Sequence, residues 1–200
     1  HRTERSDVAI GVPFSGRLEP EWRTVVGYFV NMLPFRIPAN LDQSFGDYLH
    51  TVRDRVHRAL AHQAFPFPSM VERLASPRDG ASSPVFQVTL NLVPRADRLF
   101  ALSTPASSDT PVESDPLETD VYRLPMQEGA FDLSVELFET ETGVTGTWKY
   151  ATGALETSVA RDLLHGFLTV LRAIGDNPDT TGGNLRAAAL ENEPREELLL

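Results

Sequence analysis

The sequence predicts an α/β fold in which helices pack on a mixed β-sheet, and two kinds of periodicity support this prediction. Residues 44–63 carry apolar side chains at intervals of three and four, which is the pattern of an amphipathic helix. Residues 84–93 and 131–137 alternate apolar and polar side chains, as strands with one buried face do. Because helices and strands interleave without a regular βαβ repeat, we expect a mixed-sheet α/β sandwich.

The N-terminal half contributes two expected strands and two expected helices. Residues 7–13 are β-branched and end at a proline, so we expect a strand, and residues 25–38 are expected to be a loop that leads into a strand. Ser44, with Asp47 three residues later, resembles the capping box that starts a helix. A proline ends this helix, and residues 69–75 are predicted as a second, shorter one.

The strand expected at residues 84–93 has two chemically different faces. One face is apolar and is expected to point into the core, whereas the other is polar. The apolar set is Phe86, Val88, Leu90 and Leu92, and the polar set is Gln87, Thr89 and Asn91.

The C-terminal half is expected to contain a β-hairpin and a long helix. The hairpin spans residues 131–150 and turns at Thr142–Gly143. Thr157 or Ser158 is expected to cap the helix, and Gly175 is expected to stop it.

The composition of residues 101–119 differs from the rest of the chain. This acidic segment contains three prolines and no basic residue, so it cannot bury enough apolar surface to order itself. A loop of this length inside one compact domain is either mobile or functional, and we expect one of these two roles.

Composition excludes several classes of function. The chain has 18 basic and 28 acidic residues, and this net charge of -10 argues against a nucleic-acid binder. There is no run of 18 apolar residues and no apolar signal peptide, so a cytoplasmic domain is expected. Because the chain has no cysteine, it has no disulfide, no thiolate metal site and no cysteine nucleophile.

The residues by themselves reveal no active site. His50 and His57 lie seven apart on the predicted helix, but a zinc site needs a third ligand that this spacing does not supply. The sequence also lacks a P-loop, a G-x-G-x-x-G segment and a G-x-S-x-G elbow. We therefore expect surface or half-buried histidines and no bound metal.

Six segments, in order along nearly the whole chain, resemble signatures of the condensation domains of nonribosomal peptide synthetases. Any one of these matches is weak, but six in register are specific. Residues 7–17 resemble "DVVVGTPVAGR", 26–36 resemble "IGxFVNTLPLR", 62–68 resemble "HQDxPFE", 78–88 resemble "RDxSRxPLFQV", 131–133 match "FDL", and 146–156 resemble "GxxxYxTDLFD".

The resemblance implies an amide-forming transferase of chloramphenicol acetyltransferase-like fold. Residues 1–180 would be the C-terminal lobe of a condensation domain, and residues 181–200 a linker toward a following domain. Members of this family join two acyl groups carried on phosphopantetheine arms, in secondary metabolism such as antibiotic biosynthesis. Their His-His-x-x-x-Asp-Gly motif lies in the N-terminal lobe. No two histidines are adjacent here, so this chain is expected to be inactive alone.

The same resemblance implies the partners of the chain. These would be acyl or peptidyl carrier proteins, the N-terminal lobe of the same domain and a neighbouring adenylation domain, but neither nucleic acid nor a membrane. No cofactor is expected to bind directly, because phosphopantetheine arrives on the carrier proteins.

Four positions depart from the family pattern. Ala64, Pro68 and Gly153 stand where the family has acidic residues, and Glu156 stands at the last acid of "TDLFD". The loss of these acids either relaxes the local structure or marks a specialised or degenerate member. Residues 91–94, Asn-Leu-Val-Pro, favour condensation over epimerisation within the superfamily.

The resemblance also suggests candidate site residues. Tunnel candidates are Gly27, Asn31, Gln87, Thr89 and Asn91. For Asn31 the alternative is that its amide closes the backbone turn after Gly27. For Gln87, Thr89 and Asn91 the alternative is that the polar face of the strand is turned to water.

A second set of candidates lies on the first predicted helix. Arg53, Arg55 and Arg58 are candidate contacts for an acidic carrier protein, because opposite charges steer association. The alternative is that these arginines form a solvated helix face.

Two other functions remain open on the sequence alone. One is a condensation-like module without chemistry, which binds carriers or recruits a tailoring enzyme. The other is a relative that transfers acyl groups to a soluble amine or alcohol. If the chain is an excised lobe, we expect it to expose an apolar patch and to self-associate or be less stable.

Overall fold

A five-stranded mixed sheet forms the centre of the fold. The computed structural model describes residues 7–38, 40–74, 85–94, 131–140 and 143–191. The strands are β1 Asp7–Phe14, β2 Asn31–Pro38, β3 Val88–Val93, β4 Leu133–Thr140 and β5 Gly143–Tyr150.

The sheet order is β2-β1-β3-β4-β5, and the two central pairings are parallel. β1 and β2 pair antiparallel, as do β4 and β5, which confirms the hairpin expected between them. Both strand directions therefore occur in one sheet. The predicted mixed-sheet α/β class is confirmed.

In the part of the chain that the structure describes, four α-helices and one 3₁₀ turn accompany the sheet. Among the residues that the structure describes, no helix is long and apolar enough to cross a bilayer. The helices are α1 Phe45–Leu60, α2 Phe67–Leu74, α3 Thr157–Asp176 and α4 Gly182–Glu191, and the 3₁₀ turn is Pro20–Thr24.

The start of α1 follows the predicted capping box. The Ser44 hydroxyl accepts a hydrogen bond from the Asp47 backbone N–H at 3.1 Å, which satisfies one of the unpaired donors of the first turn. One turn later, the Tyr48 hydroxyl donates to the carbonyl of Pro38 at 2.9 Å and ties α1 to the end of β2. Burial raises the pKa of the Tyr48 phenol above its ordinary value, because it disfavours the phenolate.

The core is aromatic where the two halves of the sheet meet. Phe86 is fully buried, and its ring lies 5.2 Å from that of Phe67 and 5.3 Å from that of Phe131. Gly11 of β1 lies beneath this ring, because a Cβ at that position would come within 2.1 Å of Phe86. The glycine therefore permits the close approach of the aromatic ring to the sheet.

Two expectations for the strand at 84–93 are wrong. The strand begins at Val88, and Leu92, expected in the core, is 56% exposed, whereas Thr89 is 8% exposed. Leu92 extends past the short β1 pairing, which reaches only Val88 and Thr89. Thr89 can be buried because its hydroxyl has a partner, the Ser134 hydroxyl at 3.0 Å.

The expected ends of α3 are also wrong. The N-cap residue is Glu156, without a side-chain cap, and Thr157 is already helical, where its hydroxyl accepts from the Tyr150 hydroxyl at 3.0 Å. Gly175 lies within the helix, which continues to Asp176. The backbone of Asn177 is extended (φ -148, ψ 97), and this residue ends the helix.

Helix α4 packs against α3, and its Leu185 is buried, with 9% exposure. Residues 182–191 of the expected linker are thus helical, and the boundary proposed at 180/181 stays a prediction. The segment 101–119 lies outside the described residues.

Candidate functional site

A polar face runs across three adjacent strands. Residues paired across strands point to the same side of a sheet, so the register places the polar side chains of β3, β4 and β5 side by side. One row is Thr89, Ser134 and Lys149, and the next is Asn91, Glu136 and Thr147. The sequence-predicted tunnel residues Thr89 and Asn91 are thus brought together with four residues that were not predicted.

The polar face is held by its own hydrogen bonds. The Lys149 ammonium lies 2.7 Å from a Glu136 carboxylate oxygen, and the Thr147 hydroxyl donates to the same oxygen at 3.2 Å. The Lys149 and Glu136 side chains are 40% and 36% exposed, so both remain accessible.

The polar face suits uncharged polar ligands. An ammonium keeps spare N–H donors and a carboxylate keeps spare lone pairs after one ion pair. The Glu136–Lys149 pair can thus bind groups such as amides while remaining neutral overall. Among the described residues, no cluster of His, Asp and Glu side chains could hold a metal ion.

Gln87 lies just before β3 and is exposed. Its carbonyl accepts the Leu133 backbone N–H at 3.1 Å, which joins the segment before β3 to β4. Its proposed place in the tunnel stays a prediction.

Asn31, at the start of β2, is fully engaged by backbone groups. Its amide N–H groups donate to the carbonyls of Gln63 and Phe65 at 3.0 and 2.9 Å, and its oxygen accepts the Phe67 N–H at 3.0 Å. These bonds hold the turn between α1 and α2. They favour a structural role, although at a different turn from the one expected after Gly27, and the tunnel role stays a prediction.

Gly27 belongs to the loop between β1 and β2, which Arg17 organises. The Arg17 guanidinium donates to the carbonyls of Trp22, Val25 and Gly27, and it lies 4.4 Å above the centroid of the Phe29 ring. Sequence reasoning gave Arg17 no role. The only signal was its place as the last residue of the segment that resembles "DVVVGTPVAGR".

The same loop exposes apolar side chains, and we call residues 18–30 the loop surface. Val26 is 99% exposed and Tyr28 is 86% exposed, in the middle of this segment. Other large apolar residues of the loop surface that are exposed are Leu18, Trp22, Val25 and Val30.

A basic cleft lies between α1 and β2. It has a volume of about 280 Å³, and its basic lining residues are Arg36, Arg55, Arg58 and His62. Arg53, the third predicted carrier contact, is not in this cleft, and its guanidinium lies 3.8 Å from Asp54. The structure thus brings two of the three predicted arginines together and separates the third.

Comparison with known proteins connects this geometry to a family. The family model of the condensation domain matches residues 1–197. Tyrocidine synthase 2 of Brevibacillus parabrevis is 34% identical over 175 residues, which are 88% of this chain and 5% of that protein. Surfactin synthase subunit 1 of Bacillus subtilis is 30% identical over 177 residues, again 88% of this chain and 5% of that protein. The chain thus spans a small part of each relative.

Solved structures share the fold at lower identity. A four-domain nonribosomal peptide synthetase bound to AMP and glycine matches with a TM-score of 0.75 at 22% identity, over 90% of this chain and 14% of that one. The X-domain from teicoplanin biosynthesis matches with a TM-score of 0.70 at 22% identity, over 88% of this chain and 38% of that one. The fold, and a family match over almost all residues, lead to one conclusion: the chain belongs to the condensation-domain family of nonribosomal peptide synthetases.

Proposed function

We propose that this chain is the C-terminal lobe of a condensation domain that forms amide bonds between carrier-bound acyl groups. The acceptor amine attacks the carbonyl carbon of the donor thioester. A C–N bond forms, the C–S bond breaks, and the amine proton ends on the released thiol. The polar face, on a chain that the condensation-domain family model matches over residues 1–197, is the observation that carries this proposal.

The polar face fits substrates of this kind. The phosphopantetheine arm, the aminoacyl group and the peptide product all carry amide or amine groups. Asn91, Thr147 and the Glu136–Lys149 pair offer both donors and acceptors on one side of the sheet. These side chains would orient the arm, whereas the histidine that handles the amine proton would come from the N-terminal lobe.

The loop surface supports the proposal that this chain is one lobe that packs against another. Exposed large apolar residues scattered singly are ordinary, but a group of them in one segment marks an interaction surface. Val26 and Tyr28 are almost fully exposed in a loop that Arg17 holds in a defined conformation. The N-terminal lobe, as the obligatory partner in this proposal, is the covering surface that we expect.

The experiment begins with the gene segment upstream of His1. We expect it to encode His-His-x-x-x-Asp-Gly in frame. The complete domain is then incubated with a donor aminoacyl carrier and an acceptor aminoacyl carrier, and dipeptidyl carrier is measured by mass spectrometry. Product from the complete domain and none from residues 1–200 alone is the expected result. An intact motif without product would contradict the proposal.

A second candidate function is a condensation-like module that recruits another enzyme. The likeness to a complex of the X-domain and OxyB from teicoplanin biosynthesis, with a TM-score of 0.67, favours this candidate. An eroded histidine motif, together with stable binding of a carrier or of a tailoring enzyme, would establish this function in place of catalysis.

A third possible function is transfer of an acyl group to a soluble amine or alcohol. Competition by a free amine in the condensation assay would reveal such transfer.

A further inference from the structure

The start of α1 is held by backbone groups from the other end of the chain. Phe45, the first residue of α1, donates its N–H to the carbonyl of Thr180 at 2.8 Å. Gly46, the second residue, donates its N–H to the carbonyl of Pro178 at 3.2 Å. The first N–H groups of a helix have no partner within the helix and must be satisfied from outside. Here the segment that precedes α4 supplies two of these acceptors.

Helix α4 begins in the same way. Gly182, the first residue of α4, donates its N–H to the carbonyl of Gln43 at 3.1 Å. Gly183, the second residue, donates its N–H to the carbonyl of Leu41 at 2.7 Å. Both acceptors belong to the segment that precedes α1. Each helix therefore receives the caps of its first two N–H groups from the segment before the other helix.

The residues that precede the two helices complete this arrangement. The Ser44 hydroxyl accepts the N–H of the third residue of α1 at 3.1 Å, and the Thr181 hydroxyl accepts that of the third residue of α4 at 3.4 Å. Ser44 and Thr181 also pair with each other as an antiparallel β-bridge. We call residues 41–47 and 178–184 together the reciprocal cap.

The two segments of the reciprocal cap approach so closely that one position requires glycine. A Cβ at Gly182 would lie 2.7 Å from the carbonyl oxygen of Asn40 and 2.9 Å from the Cα of Leu41. Both are backbone atoms, so they could move aside only if the segment moved. At Gly183 the nearest atom to such a Cβ would be 3.4 Å away, which is an ordinary contact. The adjacent glycines therefore differ in what they tolerate.

Neither helix of the reciprocal cap is deeply buried. Helix α1 contains no buried residue, and α4 contains one, Leu185. Helix α1 contacts β2, whereas α4 packs against α3, so the reciprocal cap joins two helices that rest on different elements. Segments with few buried apolar side chains open at low cost in free energy. Opening one helix start would also leave the N–H groups of the other without their acceptors.

We propose that the reciprocal cap is a conformational coupling device, through which displacement of α4 from α3 opens the first turn of α1. Such a displacement would carry the carbonyls of Pro178 and Thr180 away from the first two N–H groups of α1. Because a coupling free energy between two sites is reciprocal, opening the start of α1 also releases α4. Tyr48 ties the next residue of α1 to the end of β2, so the device connects α4 to the sheet. It goes beyond the proposed function and does not depend on amide formation.

Hydrogen–deuterium exchange, measured by mass spectrometry on the full chain of 200 residues, tests this coupling. Leu185→Asp places a carboxylate at the buried position of α4 and leaves every residue of the reciprocal cap unchanged. Leu190→Asp is the control, because Leu190 lies on the same helix and is 57% exposed. We expect exchange of residues 45–50 to become at least about fivefold faster in the first variant and less than about twofold faster in the second. Peptides from β4 and β5 report global unfolding.

The two adjacent glycines test the reciprocal cap directly, and they keep the test available if Leu185→Asp does not fold. Gly182→Ala should accelerate exchange of residues 45–50, because its Cβ would press on the backbone before α1. Gly183→Ala should leave this exchange unchanged, because its Cβ finds room. Ser44→Ala examines the opposite direction of the coupling. It removes a cap of α1 and should accelerate exchange at the start of α4.

Three outcomes would overturn the proposal. If Leu185→Asp and Gly182→Ala accelerate exchange in α4 alone, the two helices open independently. If exchange in β4 and β5 rises by the same factor as at the start of α1, the variants unfold the whole chain and no coupled unit exists. If Ser44→Ala accelerates exchange at the start of α1 but leaves α4 unchanged, the coupling is not reciprocal.

Discussion

At the scale of single residues, Asn31 and Arg17 hold backbone segments that lie outside regular secondary structure. Asn31 uses both amide hydrogens and its oxygen on the turn between α1 and α2. The Arg17 guanidinium donates hydrogen bonds to three carbonyls of the loop between β1 and β2. Both side chains lie in segments that resemble family signatures, so these segments include residues that hold the conformation of loops.

Replacement of Asn31 by alanine should destabilise the fold by about 3 kcal/mol. Each net hydrogen bond contributes about 1 kcal/mol, and the part-buried groups of Gln63, Phe65 and Phe67 would lose their partner. Chemical denaturation measures the change in the free energy of unfolding. Asn184→Ala is the control, because the Asn184 side chain is exposed and makes none of these bonds, and it should change stability by less than about 0.5 kcal/mol. Equal losses in the two variants would contradict the role assigned to Asn31.

Sequence reasoning reached some of these residue roles and missed others for a physical reason. The Ser44 cap was predictable because donor and acceptor lie three residues apart, within one helical turn. The partners of Asn31 lie 32 to 36 residues away, so no local pattern indicates them. The pairing of Glu136 with Lys149 likewise needs the register of the hairpin, which the alternation pattern indicates only roughly.

At the scale of elements, the sequence patterns predicted the strands and the centres of α1, α2 and α3, but they missed α4, which lies in the expected linker, and several element ends. The two ends of α3 were missed because glycine and threonine are compatible with both a cap and a helix interior. The buried Thr89 and exposed Leu92 were missed because burial on a strand depends on how far the neighbouring strands extend. The separation of Arg53 from Arg55 was predictable from helical spacing alone, but the contribution of Arg36 required the position of β2.

Two glycine substitutions test opposite effects on sheet and helix. Gly11→Ala should destabilise the chain by about 3 kcal/mol, because the new Cβ would lie 2.1 Å from the fully buried Phe86 ring. Gly175→Ala should stabilise it by about 0.5 kcal/mol, because the site is helical and nothing lies within 4 Å of the new Cβ. Thermal or chemical unfolding of both variants measures these changes. If Gly11→Ala stabilised the chain, this would show that the Phe86 ring is not in close contact with β1.

At the scale of the whole molecule, the chain presents three surfaces with different chemistry. They are the polar face, the basic cleft and the apolar loop surface. Each surface includes exposed side chains in the described part of the chain. Contacts with several partners at once are what a lobe within a multidomain synthetase would require.

The loop surface gives the prediction for the molecule as a whole. We expect the isolated chain of 200 residues to self-associate at micromolar concentrations, because almost fully exposed apolar side chains cluster in this loop. Val26→Ser with Tyr28→Ser should shift the population toward monomer in sedimentation velocity experiments. Leu190→Ser is the control, since Leu190 is also exposed, at 57%, but lies on α4 away from the loop in sequence. Addition of the separately produced N-terminal lobe should suppress self-association of the wild type, because both processes would bury the same residues. A monodisperse wild-type monomer, or an equal shift caused by Leu190→Ser, would show that the loop surface is not the interaction surface.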